Sequence, residues 1–185
     1  MTDTTTALTI VIPPQFHAAI NTIRAANDKA YPRWMPHINL IFPFVPEDQF
    51  STAAASLETA LSSIQPFAVR LNTVNFFKQK QQCTYNLQPS HDQMSDFNAL
   101  FAAVQQALPD VEIKHAQFTP HMTLGQCATK DVENTVFGMR NWLAENPVEF
   151  VLDRVCLIKR YSKEGQFEVL KEVYFGGNGH VSPYA

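Results

Sequence analysis

Phe118-Thr119-Pro120-His121-Met122-Thr123-Leu124-Gly125 repeats the core of an earlier stretch, Met35-Pro36-His37-Ile38-Asn39-Leu40. In both, a proline precedes a histidine, an apolar residue, a small hydrogen-bonding residue and a leucine. Read as β-strands, whose side chains alternate between faces, the first places His37 and Asn39 on one face and Ile38 and Leu40 on the other. The same parity sets His121 beside Thr123. Each strand thus presents an imidazole and a neutral hydrogen-bonding group on a polar face and turns an apolar face to a core. Proline just ahead suits a strand's first residue.

Working outward, the β-branched run 8–12 ends at Pro13-Pro14 and reads as a buried strand. Phe16, Ile20 and Ile23 follow at helical spacing in a segment that must end before Tyr31-Pro32, because the residue preceding a proline is pushed out of the α region. The first histidine strand spans about 37–42, and a second helix covers 50–64, with Ala54, Leu57 and Leu61 on one face. A strand runs from Phe67 towards Phe77, another covers 83–87, and the polar residues 78–82 form a hairpin connection between them. Phe97, Leu100, Phe101 and Val104 predict a helix over about 95–108, ahead of the second histidine strand at 121–127. A fourth helix over 131–146 precedes two long closing strands, 149–161 and 167–175, and a glycine-rich tail read as loop.

This order contains a duplication: strand, proline, helix, then Pro-His-x-(Asn/Thr)-Leu, first over 8–40 and again over 83–124, with the histidines 84 positions apart (121 − 37). Used twice, such a unit gives an α+β fold of two pseudo-symmetric lobes in a single domain over 1–185. Each lobe is an antiparallel sheet with helices on its outside. Equivalent histidines then face one another across a cleft. Two copies are too few for a solenoid.

Composition narrows the functional classes. With 45% hydrophobic and 17% charged residues, the 185-residue chain buries a sizeable core. A formal net charge of −3 argues against a surface for long duplex nucleic acid, and leaves an RNA end or a nucleotide as partner. Cys83, Cys127 and Cys156 form no CxxC pair and read as reduced, buried thiols. Residues 8–12 are too short for a membrane span or a signal peptide's apolar region. A monomer in the cytosol or nucleus is the expectation. There is no HExxH, no glycine-rich phosphate loop and no GxSxG, and the acidic residues lack ligand spacing. Neither a metal nor another cofactor is expected.

The paired motifs, their place on the second strand of each half and the order of elements resemble the two-histidine (2H) phosphoesterase superfamily. It includes 2′-5′ RNA ligase-like proteins and 2′,3′-cyclic nucleotide phosphodiesterases. The resemblance covers roughly 8–175, and its motif is His, any residue, then Thr or Ser, occurring twice. His121-Met122-Thr123 matches fully, whereas His37-Ile38-Asn39 carries asparagine where a hydroxyl is usual. Such a site needs a base to activate the attacking water or hydroxyl and an acid for the departing oxygen, roles that suit an imidazole of ordinary pKa ~6.5. Asn39 and Thr123 would bind the non-bridging phosphate oxygens, the amide donating through its NH₂ as threonine does through its hydroxyl. From cyclic phosphodiesterase relatives, the resemblance implies His121 as the base and His37 as the acid.

The implied function is a metal-independent phosphoesterase acting on 2′,3′-cyclic phosphates or related 2′-linked bonds of RNA ends or nucleotides. The alternatives are a 3′-end RNA exonuclease with the same site and a binding module without turnover, which Asn39 favours. Arg160 and Tyr161 end the strand after which related proteins place substrate contacts, and suit phosphate and base respectively. Trp34, beside the first motif, is a candidate for base stacking or for core packing. Lys78 and Lys80 occupy a hairpin tip and could steer an RNA backbone, and His17, His91, His115 and His180 read as surface or capping residues.

Overall fold

The computed structural model describes residues 2–113 and 117–176. His115, His180 and nearly all of the glycine-rich tail lie outside the described residues. Strands β1 (Thr6–Val11) and β2 (His37–Ile41) enclose helix α1 (His17–Asn27), and helix α2 (Phe50–Leu61) follows. Then come β3 (Phe67–Arg70), β4 (Thr73–Gln79) and β5 (Gln82–Gln88). Helix α3 (Met94–Ala107), β6 (Met122–Ala128) and helix α4 (Val132–Glu145) repeat the earlier pattern, and β7 (Glu149–Leu152), β8 (Arg154–Lys159) and β9 (Glu168–Tyr174) close the chain.

Each helix is entered through a single 3₁₀ turn, at Pro14–Phe16, Glu47–Gln49, His91–Gln93 and Thr129–Asp131. Proline at or immediately before the first two of these turns fixes φ where no helical N–H is needed, which turns the chain sharply out of its strand. Four strand-turn-helix units result, two per half.

All pairings are antiparallel, in sheets ordered β2-β1-β8-β9 and β4-β5-β6, with a separate β3-β7 pair. The duplication is therefore not segregated along the chain. The C-terminal β8 and β9 complete the sheet of the first histidine strand, and β4 completes the sheet of the second. Helix α2 packs on α3 and β9, and α4 on β4 and β5. One contiguous apolar core runs from Leu8 and Ile10 through Leu57, Phe97 and Leu124 to Val155 and Phe175. No helix of the described residues is long and apolar enough to cross a membrane.

Two expected strands divide. The run from Phe67 to Phe77 breaks at Leu71-Asn72, where the Leu71 N–H donates to the Val148 carbonyl at 3.0 Å, so that β3 pairs with β7 and β4 with β5. The closing run from 149 breaks at Asp153 and likewise changes partner, from β3 to β1 and β9. In both, a period-two pattern continues across the break. The change of sheet depends on long-range partners that local alternation does not encode.

The two histidine strands share an unexpected irregularity. In the first half the register steps from Thr9↔Asn39 to Leu8↔Ile41, leaving Leu40 as the extra residue. In the second it steps from Asn86↔Thr123 to Tyr85↔Gly125, leaving Leu124. A β-bulge re-aims the side chains beside it, and here it sits one residue beyond Asn39 and Thr123.

Candidate active site

Ile38 and Met122 are fully buried, while His37, Asn39, His121 and Thr123 are half-buried, as the alternation of a strand with one wet face requires. Strands β2 and β6 approach one another between the two sheets. Asn39 and His121, from different halves, line one cavity of about 400 Å³ together with Leu40, Phe42, Phe77, Phe101, Gln117, Phe118 and Thr119. His37 and Thr123 are not among its lining residues.

Both imidazoles are held in the same way. His37 Nδ1 lies 2.7 Å from the Met35 carbonyl, and His121 Nδ1 lies 2.8 Å from the Thr119 carbonyl. A carbonyl oxygen only accepts, so Nδ1 carries the hydrogen in each ring and Nε2 is the nitrogen able to exchange a proton. The proline between carbonyl and histidine, with its fixed φ, sets this return of the ring onto the chain two residues back.

Their surroundings differ. His37 is stacked on Trp34, with ring centroids 4.5 Å apart and 19° between planes. Trp34 lies in turn against Phe167 at 3.9 Å and meets the Phe42 ring edge at 5.1 Å. Part of His37 reaches the surface, yet burial is the largest influence on its imidazole. It lowers the pKa to about 4 against the raising effect of the Met35 carbonyl, with the Arg24 and His121 charges lowering it further and Asp28 raising it. His121 lines the aromatic cavity, with the Phe77 ring at 4.8 Å and 82°, edge to face.

Sequence reading missed the buried ion pair behind His37. Arg24 and Asp28, one turn apart at the end of α1, are joined at 2.9 Å with side chains 2% and 1% exposed. Arg24 Nη1 donates to the Trp34 carbonyl at 2.9 Å, while Asp28 accepts from Gln126 Nε2 at 3.2 Å and from the Ala30 N–H at 3.0 Å. The pair thus ties the loop that carries Trp34 to strand β6 of the other half. Gly125 permits this approach, since a Cβ there would lie 2.7 Å from both the Asn27 Cβ and the Tyr85 hydroxyl. The spacing of Arg24 and Asp28 was visible, but an i,i+4 charge pair on a helix ordinarily signals a solvated face.

The weaker candidates divide. Trp34 packs on His37. Arg160 shares the strand face of Ile158 and Cys156, yet its guanidinium lies over Phe167 at 5.1 Å and donates to the Thr4 and Lys163 carbonyls at 3.2 and 2.9 Å. Tyr161 is 65% exposed, with the Lys159 ammonium 5.1 Å from its ring. Neither lines the cavity, and Lys159 itself is paired with Glu47 on the opposite face. Lys78 and Lys80 are exposed, Lys80 in the hairpin turn at φ 55°. Cys83 and Cys156 are buried and Cys127 half-buried, all three as free thiols. Among the described residues, no three His, Cys, Asp or Glu side chains cluster as metal ligands.

The fold is similar to several solved structures. LigT of E. coli complexed with 3′-AMP has 18% identity and a TM-score of 0.59, over 93% of this chain and 98% of that one. TT0787 of Thermus thermophilus has 14% identity and a TM-score of 0.58, over 94% and 99%. Usb1 of Kluyveromyces marxianus with uridine monophosphate has 10% identity and a TM-score of 0.51, over 92% and 98%. No curated protein matches the chain. Residues 12–164 match the 2′-5′ RNA ligase superfamily, and because that is 153 of 185 residues (164 − 12 + 1), the chain belongs to this superfamily of two-histidine phosphoesterases.

Proposed function

We propose that the chain hydrolyses 2′,3′-cyclic phosphates or related 2′-linked phosphodiesters at RNA ends or on nucleotides, without a metal, using His37 and His121 as an acid–base pair. The observation that carries this reading is the repeated Nδ1–H···O=C bond, which gives both rings the tautomer whose Nε2 can serve in proton transfer. Asn39 and Thr123 donate to the non-bridging oxygens as charge builds on them. Burial leaves His37 neutral at neutral pH, which supports the base role and reverses the assignment implied by the resemblance.

In this scheme His37 Nε2 takes a proton from water as the water oxygen bonds to phosphorus. The bond from phosphorus to the departing ribose oxygen breaks, and that oxygen takes the proton of His121. The ring-lined cavity beside His121 suits a nucleobase, which stacks on aromatic faces irrespective of sequence. Among the described residues the cavity is lined by aromatic and neutral polar side chains beside His121, which suits an end or a single nucleotide.

The test is a panel of 2′,3′-cyclic nucleotides and of 2′-5′ and 3′-5′ oligonucleotides incubated in EDTA. Turnover of the cyclic or 2′-linked members supports the proposal, and nucleotide binding without any turnover refutes it. Release of nucleotides from the 3′ end of ordinary RNA would instead identify an exonuclease with the same site.

A further inference from the structure

The loop between α1 and β2 supplies the Trp34 indole on which the His37 ring stacks and the Met35 carbonyl that accepts from its Nδ1. Where that loop lies therefore decides where His37 Nε2 points. In the second half, the segment ahead of His121 is packed within its own half, Phe118 stacking on Phe101 of α3 at 4.2 Å and 9°. The first loop, by contrast, is gripped from across the molecule.

The grip comes from Gln126, half-buried on β6, the strand that begins directly after His121. Its Oε1 accepts from the Lys29 N–H at 2.9 Å, and its Nε2 donates to Asp28 Oδ1 at 3.2 Å. Consecutive residues of the turn after α1 thus engage both ends of one carboxamide, which requires an acceptor and a donor on the same side chain. From Asp28 the linkage continues through its Oδ2 to Arg24 at 2.9 Å, and from Arg24 Nη1 to the Trp34 carbonyl at 2.9 Å. Arg24 and Asp28 are buried, so water competes little for these bonds. Gly125 beside Gln126 leaves room for the approach, since a Cβ there would lie 2.9 Å from the Asn27 carbonyl oxygen. A second link crosses the same seam at the surface, the exposed Lys29 donating from Nζ to Gln82 Oε1 at 2.7 Å.

We infer that Gln126 is a positioning residue for His37: its carboxamide clamps the turn at Asp28-Lys29 onto the strand of His121, and so fixes the separation of the two imidazoles. Paired proton transfer to one phosphate needs that separation held closely, because a small misplacement of a reacting group forfeits much of the rate. A residue of the second half thereby sets the ring of the first. This inference rests on the proposed acid–base pair, and goes beyond it by assigning a residue outside either histidine motif.

The experiment measures turnover of a 2′,3′-cyclic nucleotide by the whole chain, beside NMR of the His37 ring protons without ligand. Gln126→Met, which keeps the length and loses both hydrogen bonds, should lower kcat about 10- to 100-fold and leave KM unchanged, the pattern of a lost transition-state alignment. Gln126→Glu keeps the acceptor for the Lys29 N–H but sets a carboxylate against Asp28, and should lose at least as much. Lys29→Met removes the surface link across the same seam and should leave kcat as it is. In a His37→Ala background, Gln126→Met should cost no further turnover, because its effect passes through that ring. The His37 ring protons, shifted upfield by the stacked indole, should move downfield in Gln126→Met and stay in place in Lys29→Met. Unchanged kcat in both Gln126 variants, an equal loss in Lys29→Met, a full repeat of the loss in the His37→Ala background, or unmoved His37 signals would each overturn the inference. Absence of turnover in the unaltered chain would overturn the hydrolase proposal, and the ring-proton comparison would then decide the role of Gln126 by itself.

Discussion

The two histidines share a backbone device and differ in the aromatic rings that pack against them. His37 is stacked on Trp34 and its pKa is depressed to about 4, chiefly by burial, whereas His121 meets the Phe77 ring edge to face and lines the cavity. A duplicated unit thus supplies two equivalent nitrogens, and unequal packing sets them apart. Acid–base chemistry requires such a difference, since one ring must be neutral while the other is charged.

The largest expected effect removes the rings themselves. His37→Ala or His121→Ala should each lower turnover by at least ~10², within the range for general acid–base groups. The double variant should be far less than multiplicatively worse, because either loss already interrupts the paired transfers. A p-nitrophenyl phosphodiester, whose leaving group needs little protonation, separates the two. It should restore His121→Ala more than His37→Ala. Stronger restoration of His37→Ala would return His37 to the acid role.

Next in size is the ion pair that gives the halves their different backing. Arg24→Met leaves the Asp28 carboxylate buried without its cation, and Asp28→Asn does the converse. Breaking a buried pair costs about 3–5 kcal/mol, to be read from urea unfolding. Their effects on His37 should have opposite signs, because the Arg24 charge lowers its pKa and Asp28 raises it. NMR titration of the His37 ring should therefore move up in Arg24→Met and down in Asp28→Asn. A shift in the same direction would mean that both act through packing alone.

These features also mark how far the sequence could be read. The duplication, the four helices and both histidine strands were legible because proline punctuation, helical spacing and strand alternation are local signals. The breaks at Leu71-Asn72 and Asp153 were not, since β3 and β7 leave their neighbours to pair with each other. Arg24, Phe77, Phe101 and Phe118 were invisible as site residues for a related reason. Each carries an ordinary pattern, a helical charge pair or core aromatic, and acquires its role only when distant elements meet. Arg160 and Tyr161 suit phosphate and base by their chemistry but do not line the cavity, Arg160 donating to the Thr4 and Lys163 carbonyls and Tyr161 lying beside the Lys159 ammonium.

A smaller effect concerns stability. The folded His37 imidazole, at about 4, lies below its ordinary 6.5, so between those pH values the unfolded chain binds a proton that the folded chain does not. Its contribution is complete above pH ~6.5 and declines as pH falls through ~4, by at most about 3 kcal/mol. His37→Asn should flatten this part of the stability–pH curve. An identical slope in the variant would place the acid sensitivity elsewhere.

The smallest predicted change tests whether the indole is what makes the halves unequal. Trp34 covers one face of His37 and is itself fixed by Phe167 and by the hydrogen bond from Arg24 to its carbonyl. Trp34→Leu keeps an apolar side chain and the backbone carbonyl but removes the stacked ring, a contact worth about 0.5–1.5 kcal/mol. Water then reaches more of the imidazole, and its pKa rises towards 6.5, by up to about one unit. If His37 is the base, activity requires its neutral form, so the acid limb of kcat/KM should move to higher pH by the same amount while the alkaline limb stays in place. Catalysis at pH 8, where His37 is neutral in both proteins, should change little beyond the lost packing. Movement of the alkaline limb instead would identify His37 as the group that must be charged, and the halves would exchange roles.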